Sequence, residues 1–124
     1  MLDQSKTFSS FSVNDVRSAQ AFYEEKLGLK TELQDMGDQE LLTLKLKKGH
    51  DIMIYQKEDH QPATFTVLNF AVKDVALEVD ALKEKGITFE HYEGNDDQEI
   101  NHNGGMDVAW FKDPAGNFLS IVRE

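Results

Sequence analysis

Residues 107–124 read DVAWFKDPAGNFLSIVRE. Two apolar runs, 108–111 and 118–122, flank Asp113-Pro114-Ala115-Gly116-Asn117. Asp113 is a favoured first residue of a type I turn, and Pro114 pre-sets φ for the second position. Gly116 supplies the left-handed conformation that returns the chain as a bulged hairpin. The stretch therefore predicts two antiparallel strands at the end of the chain.

Working outward from it, the rest of the chain shows two matched halves. Phe11 and Val13 alternate with Ser10 and Ser12, the period of a half-buried strand. Asn14 or Asp15 then caps a helix whose apolar stripe is Val16, Ala19, Ala21-Phe22-Tyr23 and Leu27, and Gly28 stops it. Residues 29–36, 40–46 and 51–56 read as three strands with turns at Gly37-Asp38 and Lys48-Gly49. Ile52-Met53-Ile54-Tyr55 is apolar throughout and predicts cover on both faces. After the polar linker 57–63 the order begins again. Residues 64–72 form a strand, Asp74 caps a helix over 75–85, Gly86 stops it, and 87–92 form a strand. The long polar loop 93–105 precedes the terminal hairpin.

The recurrence is visible in the residues. Phe11-Ser12-Val13-Asn14-Asp15-Val16 matches Phe70-Ala71-Val72-Lys73-Asp74-Val75, and each copy leads into a helix ended by a glycine. A repeated unit in sequence is a repeated unit in structure. Two strand–helix–strand–strand–strand units give an α+β fold, two βαβββ modules within a single domain over 1–124. Module one covers about 7–56 and module two about 64–124. A ferredoxin-like fold is the alternative, and it leaves strands over.

The string FKDPAGNFLSIV closely resembles the terminal hairpin of the vicinal oxygen chelate superfamily, and SVNDVRSAQAFYEEKLGLK is similar to that family's usual opening. The superfamily contains glyoxalase I, bleomycin-resistance proteins, extradiol dioxygenases and fosfomycin-resistance enzymes. The resemblance covers nearly the whole chain. It implies paired βαβββ modules forming a cupped, partly closed mixed sheet. It also implies one divalent metal, held by His or Glu at four equivalent strand positions, that binds two neighbouring substrate oxygens as a Lewis acid. Carried onto this chain, those positions fall at Phe8 and Val67, each seven residues before a helix-capping Asp, at Met53 in the fourth strand, and at Ser120, four residues after Gly116. Phenylalanine, methionine and valine offer no useful oxygen or imidazole donor, and serine is a weak one. The expectation is that no metal and no cofactor is held there. A metal-free cup of this kind resembles the bleomycin-resistance proteins, which bind a drug without chemistry. Glyoxalase, dioxygenase and thiol-transferase activities are put in doubt, and whether any catalysis remains is open.

The strand period places Ser10 with Phe8, Tyr55 with Met53 and Asn69 with Val67. Trp110 lies where relatives such as the fosfomycin-resistance enzymes place an aromatic facing the site. The expected ligand-binding set is Phe8, Ser10, Met53, Tyr55, Val67, Asn69, Trp110 and Ser120, an apolar wall with a few hydrogen-bonding groups. His50 and His60 belong to a turn and the linker, where a solvated imidazole is expected. His91, Glu93 and His102 make a conceivable second metal set, but structural zinc usually shows tighter, four-ligand spacing. The acidic run from Glu90 to Glu99 reads first as a solvated loop and second as a fringe to the cup. No phosphate-cradling loop and no nucleophile elbow is present.

Composition narrows the partners. The chain has 124 residues, no cysteine, and a net charge of −10 from 23 acidic and 13 basic side chains. Disulfides and thiolate chemistry are excluded. Nucleic acid and anionic membrane surfaces are poor partners for so acidic a chain. With no apolar leader segment the expected location is the cytoplasm. The partner expected is a small planar or amphipathic molecule, neutral or cationic. The alternative is a metal-dependent lyase, isomerase or dioxygenase with an atypical site. Exposed sheet edges, and the pairing of modules that the resemblance implies, predict a homodimer.

Overall fold

The computed structural model describes residues 1–124 as two compact units, Met1–Gln61 and Pro62–Glu124. The fold is α+β, with one mixed sheet in each unit and neither sheet closed. No helix is long and apolar enough to cross a membrane.

In the first unit the strands are β1 (Ser9–Val13), β2 (Lys30–Asp35), β3 (Glu40–Lys45) and β4 (Ile52–Gln56), in the order β1-β4-β3-β2. β1 runs parallel to β4, and the other pairs are antiparallel. Helix α1 (Val16–Ala21) crosses between β1 and β2, and the Asp15 carboxylate accepts from the backbone N–H of Arg17 and Ser18. The helical stripe expected as far as Leu27 is present, but from Phe22 to Lys26 it winds as a wider π turn before Gly28 (φ +70°) ends it. That turn places Tyr23 at 0% exposure, edge-on to Phe22 and tilted against Phe11. One sheet face packs Phe11, Val13, Leu42, Leu44, Ile52 and Ile54 into the core. The other face carries Ser10, Thr43, Met53 and Tyr55 and is only half covered. The cover expected on both faces of β4 is therefore present on one.

In the second unit β5 (Thr66–Val72), β6 (Val108–Lys112) and β7 (Phe118–Arg123) form a sheet in the order β5-β7-β6. Helix α2 (Val75–Glu84) begins where the Asp74 carboxylate accepts from the N–H of Leu77, and Val75 and Val79 are buried. The strand expected over 87–92 does not form. It is reduced to one bridge, Phe89 opposite Phe111, with the Glu90 N–H donating to the Trp110 carbonyl. Phe89 still packs its ring on Phe111 at 5.4 Å, so the apolar side chains find their core without a full ladder. The two halves are thus unequal, with four strands in one sheet and three in the other.

The turn at 113–117 is held by one carboxylate. Asp113 Oδ1 accepts from the N–H of Ala115 and of Asn117, both at 2.9 Å, and Oδ2 accepts from Asn117 Nδ2 at 3.1 Å. The Gly116 N–H donates to the Asp113 carbonyl, closing the turn. Gly116 has φ +84°, and a Cβ there would lie 3.2 Å from Pro62. Asp113 and Asn117 are both buried, so removing either side strands polar groups away from water. Asp113→Ala should lower the unfolding free energy by about 1–3 kcal/mol for the donors it orphans. Urea denaturation checks this, and unchanged stability would mean that the turn is held by its backbone alone.

Candidate functional site

The first unit supplies Phe8, Ser10, Met53 and Tyr55. Ser10 pairs with Met53 in the parallel register of β1 and β4, and Tyr55 follows two residues on, so the three share the half-covered face. Phe8, just before β1, is 63% exposed. Phe8 and Met53 line a wide pocket of about 730 Å³ together with Glu32, Thr43, Lys45 and Asp51. Ser10 and Tyr55 lie on the same face but do not line this pocket. One pair of its charges is matched. Lys45 Nζ bonds Asp51 at 2.9 Å, and that hydrogen bond, with the fields of Asp51 and Glu32, holds the ammonium above its ordinary pKa. His50 also lines this pocket, while His60, expected as a solvated linker residue, shares a 2.7 Å hydrogen bond with Ser12 Oγ.

The second unit supplies Val67, Asn69, Trp110 and Ser120. Ser120 sits at the centre of the sheet, opposite Asn69 on β5 and Trp110 on β6. It is fully buried, and its hydroxyl donates to Asn69 Oδ1 at 2.5 Å. Val67 is displaced by a break in register. Thr66 faces Phe118 and Leu68 faces Leu119, so two residues of β5 span one step of β7 and Val67 is left without a pairing partner. Thr66, not singled out by sequence, takes the place beside the tryptophan, and Trp110 Nε1 donates to Thr66 Oγ1 at 3.1 Å. Trp110 also meets Tyr92 at 5.4 Å with the rings 87° apart.

Thr66, Tyr92, Asn101, Trp110 and Phe118 line a pocket of about 320 Å³, with Thr64 and Phe65 just before β5. Of the residues expected from sequence only Trp110 belongs to it. Tyr92 comes from the end of the stretch expected as a strand over 87–92, Phe65 from the stretch expected as a strand over 64–72, and Asn101 from the loop expected as a solvated or fringing segment. The signal for Tyr92 and Phe65 was the aromatic ring itself. Nothing in the local sequence marks Asn101.

The four positions at which the family's metal ligands would fall do not fit a metal. Phe8, Met53 and Val67 bring carbon and a thioether, and the one hydroxyl, that of Ser120, is spent on Asn69. Nowhere in the chain do three His, Asp or Glu side chains converge as a ligand group. The conceivable set His91, Glu93 and His102 is not assembled. His91 Nδ1 binds Glu99 at 2.8 Å, whereas His102 bridges Asp107 through Nδ1 and Asp96 through Nε2, both at 2.7 Å.

The sequence model of the glyoxalase/bleomycin resistance protein/dioxygenase superfamily matches residues 8–121. The uncharacterized protein YurT of Bacillus subtilis (strain 168) is 32% identical over 133 residues, covering 94% of this chain and 96% of its own. Among solved structures, a glyoxalase family protein from Bacillus anthracis superposes with a TM-score of 0.76 at 17% identity, over 98% of this chain and 95% of that one. A lactoylglutathione lyase from Agrobacterium tumefaciens gives 0.65 at 24% identity, over 96% and 93%. At these identities the structural matches speak for the fold alone.

The His102 bridge closes the loop that carries Asn101. Hydrogen bonds to Asp96 and Asp107 raise the His102 pKa above its ordinary 6.5. Burial pushes Asp96 up, but bonds from His102 and from the N–H groups of Ile100 and Gln98 outweigh it and hold the carboxyl below its ordinary value. The imidazolium's contribution is therefore fully present below pH 6.5 and is lost as pH rises through the raised folded-state value. The contribution of Asp96 is lost only in acid, as pH falls through its lowered value. His102→Gln should cost stability in mildly acidic solution and progressively less from there into mildly alkaline solution, as the wild type loses the charge. Parallel urea melts of the two proteins across that range measure it, and a gap that widens with pH contradicts the bridge.

Proposed function

This chain belongs to the glyoxalase/bleomycin resistance protein/dioxygenase superfamily, and from that premise we propose that it is a metal-free binding protein for a small organic molecule. The ligand is planar or amphipathic, and neutral or cationic. In each unit the residues proposed to meet a ligand lie on or next to one sheet, Phe8, Ser10, Met53 and Tyr55 in the first and Val67, Asn69 and Trp110 in the second, where the buried Ser120 holds Asn69. The observation that carries the reading is the donor set: aromatic, thioether, aliphatic and an already bonded hydroxyl at the four ligand positions. Without a Lewis acid in such a site, vicinal oxyanions lose their main holder. Aromatic and thioether surface favours flat, apolar groups instead. The net charge of −10 favours cations over anions at long range.

Elemental analysis of untagged protein after mild purification should find far less than one transition metal per chain. Chelator should leave the melting temperature unchanged, since a bound metal would stabilise the folded state. A tightly held stoichiometric Zn, Ni, Mn or Fe would sink the reading and return the metal-dependent enzyme to first place. On the same reading the protein is a homodimer, because β2 ends the first sheet with no strand on its outer side. Light scattering should give roughly twice the chain mass, and a monomer at micromolar concentration would contradict this part.

A further inference from the structure

We infer that the aromatic pocket of the second unit selects an uncharged, flat ligand of one or two fused rings that carries a hydrogen-bond acceptor. This narrows the ligand class of the proposed function and rests on that reading. The pocket is small, about 320 Å³, at the lower end of the range for ligand sites. Its walls are rings, among them Trp110, Tyr92, Phe65 and Phe118. Phe65 is 68% exposed and Tyr92 is 40% exposed, so a block of aromatic surface stands open beside the indole. The indole is fixed. Its N–H is tied to Thr66, and Tyr92 stands perpendicular to it. Two fixed rings at a right angle make a corner that a flat molecule fills by stacking on one and meeting the edge of the other.

The polar atoms of the pocket decide the charge. None of its lining residues is ionised at neutral pH. A charged ligand would leave water without a counter-charge, at a cost that an uncharged one does not meet. The ammonium of Lys112 lies 5.0 Å from the centre of the Phe118 ring, on the ring's face, with Glu90 3.6 Å from it. These two opposite charges answer each other, so neither is left as a counter-charge for a ligand ion, and an uncharged molecule needs none. The hydroxyl of Thr66 accepts from the indole and keeps its own hydrogen, and Thr64 and Tyr92 add two more hydroxyls. Asn101 is held by its neighbours, donating to Asn95 and accepting from the Asn103 N–H. The hydroxyl hydrogen of Thr66, held in place beside the indole, is thus left to meet a carbonyl or ring-nitrogen acceptor on the ligand.

Four probes of similar size separate the possibilities: coumarin, neutral with a carbonyl; naphthalene, neutral without an acceptor; N-methylquinolinium, a cation; and naphthoate, an anion. Calorimetry gives affinities. The single indole N–H resonance in a nitrogen–proton correlation spectrum reports on Trp110 without ambiguity, because the chain has one Trp. Coumarin should bind at least about tenfold more tightly than either ion and more tightly than naphthalene. It should shift the indole resonance, and it should weaken on Thr66→Val and on Tyr92→Ala. The conservative Tyr92→Phe should lose less, which separates a folding defect from a lost contact. Phe65→Ser should weaken coumarin without changing the molecular mass in light scattering. The inference is overturned if either ion binds best, if coumarin fails to bind, or if it binds while the indole resonance stays still. It is also overturned if Phe65→Ser converts a dimer to a monomer, since a second copy would then cover the rings. A stoichiometric metal in the same sample would defeat the proposed function while leaving the selectivity of this pocket standing.

Discussion

The buried carboxylate of Asp113 sets the geometry of the second unit. By accepting from Ala115, from the backbone of Asn117 and from the Asn117 side chain, it fixes where β6 stops and β7 begins. A hairpin turn that cannot slip fixes every cross-strand pair after it. Trp110 then lies opposite Ser120 and Lys112 opposite Phe118. A slip of one residue would turn Trp110 to the helix-covered face and bring Phe111 out of the core. β7 is also the central strand, so its register passes to β5 and sets Asn69 against Ser120. The aromatic pocket is in this sense a consequence of the turn.

The four positions carried over from the family's metal sites bring together no set of metal donors. A divalent ion needs several strong donors converging at short distance. Here one such position is a buried serine satisfied by Asn69, and the others are carbon or sulfur. Three carboxylates of the second unit are used on histidines, Glu99 on His91, and Asp96 and Asp107 on His102. These contacts hold the 93–107 loop against itself, which keeps Asn101 and Tyr92 beside Trp110.

The inequality of the two halves has a physical cause. The matching strings around Phe11 and Phe70 predict two alike modules, and both begin alike, with a strand, an Asp cap and a helix. They diverge after the helix. β2 pairs with β3 over six residues, whereas the equivalent stretch of the second unit keeps a single bridge at Phe89. Its loop is committed to side-chain hydrogen bonds, Asp96 to Ile100 and Gln98, and Asn95 to Asn101. Such local bonds compete with a ladder for the same backbone groups. Period and propensity register that an apolar stretch is buried, and Phe89 is; they do not register whether its backbone finds a neighbouring strand.

By itself the sequence determined what depends on residues close along the chain. Turn chemistry at Asp113–Asn117, caps at Asp15 and Asp74, the inward alternation of Phe11 and Val13, and the lack of donors at Phe8, Met53, Val67 and Ser120 were all legible there. Tertiary structure decided what depends on distant pairing. The bulge that leaves Val67 unpaired and brings Thr66 to the indole arises from a register shift between β5 and β7. The pocket that joins Phe65, Tyr92, Asn101, Trp110 and Phe118 draws on separate stretches of chain. The same holds for His102, whose two carboxylate partners are chosen by the path of the loop. A local pattern encodes φ, ψ and which face is apolar; only the assembled sheet fixes which side chains from far along the chain come to stand around one space.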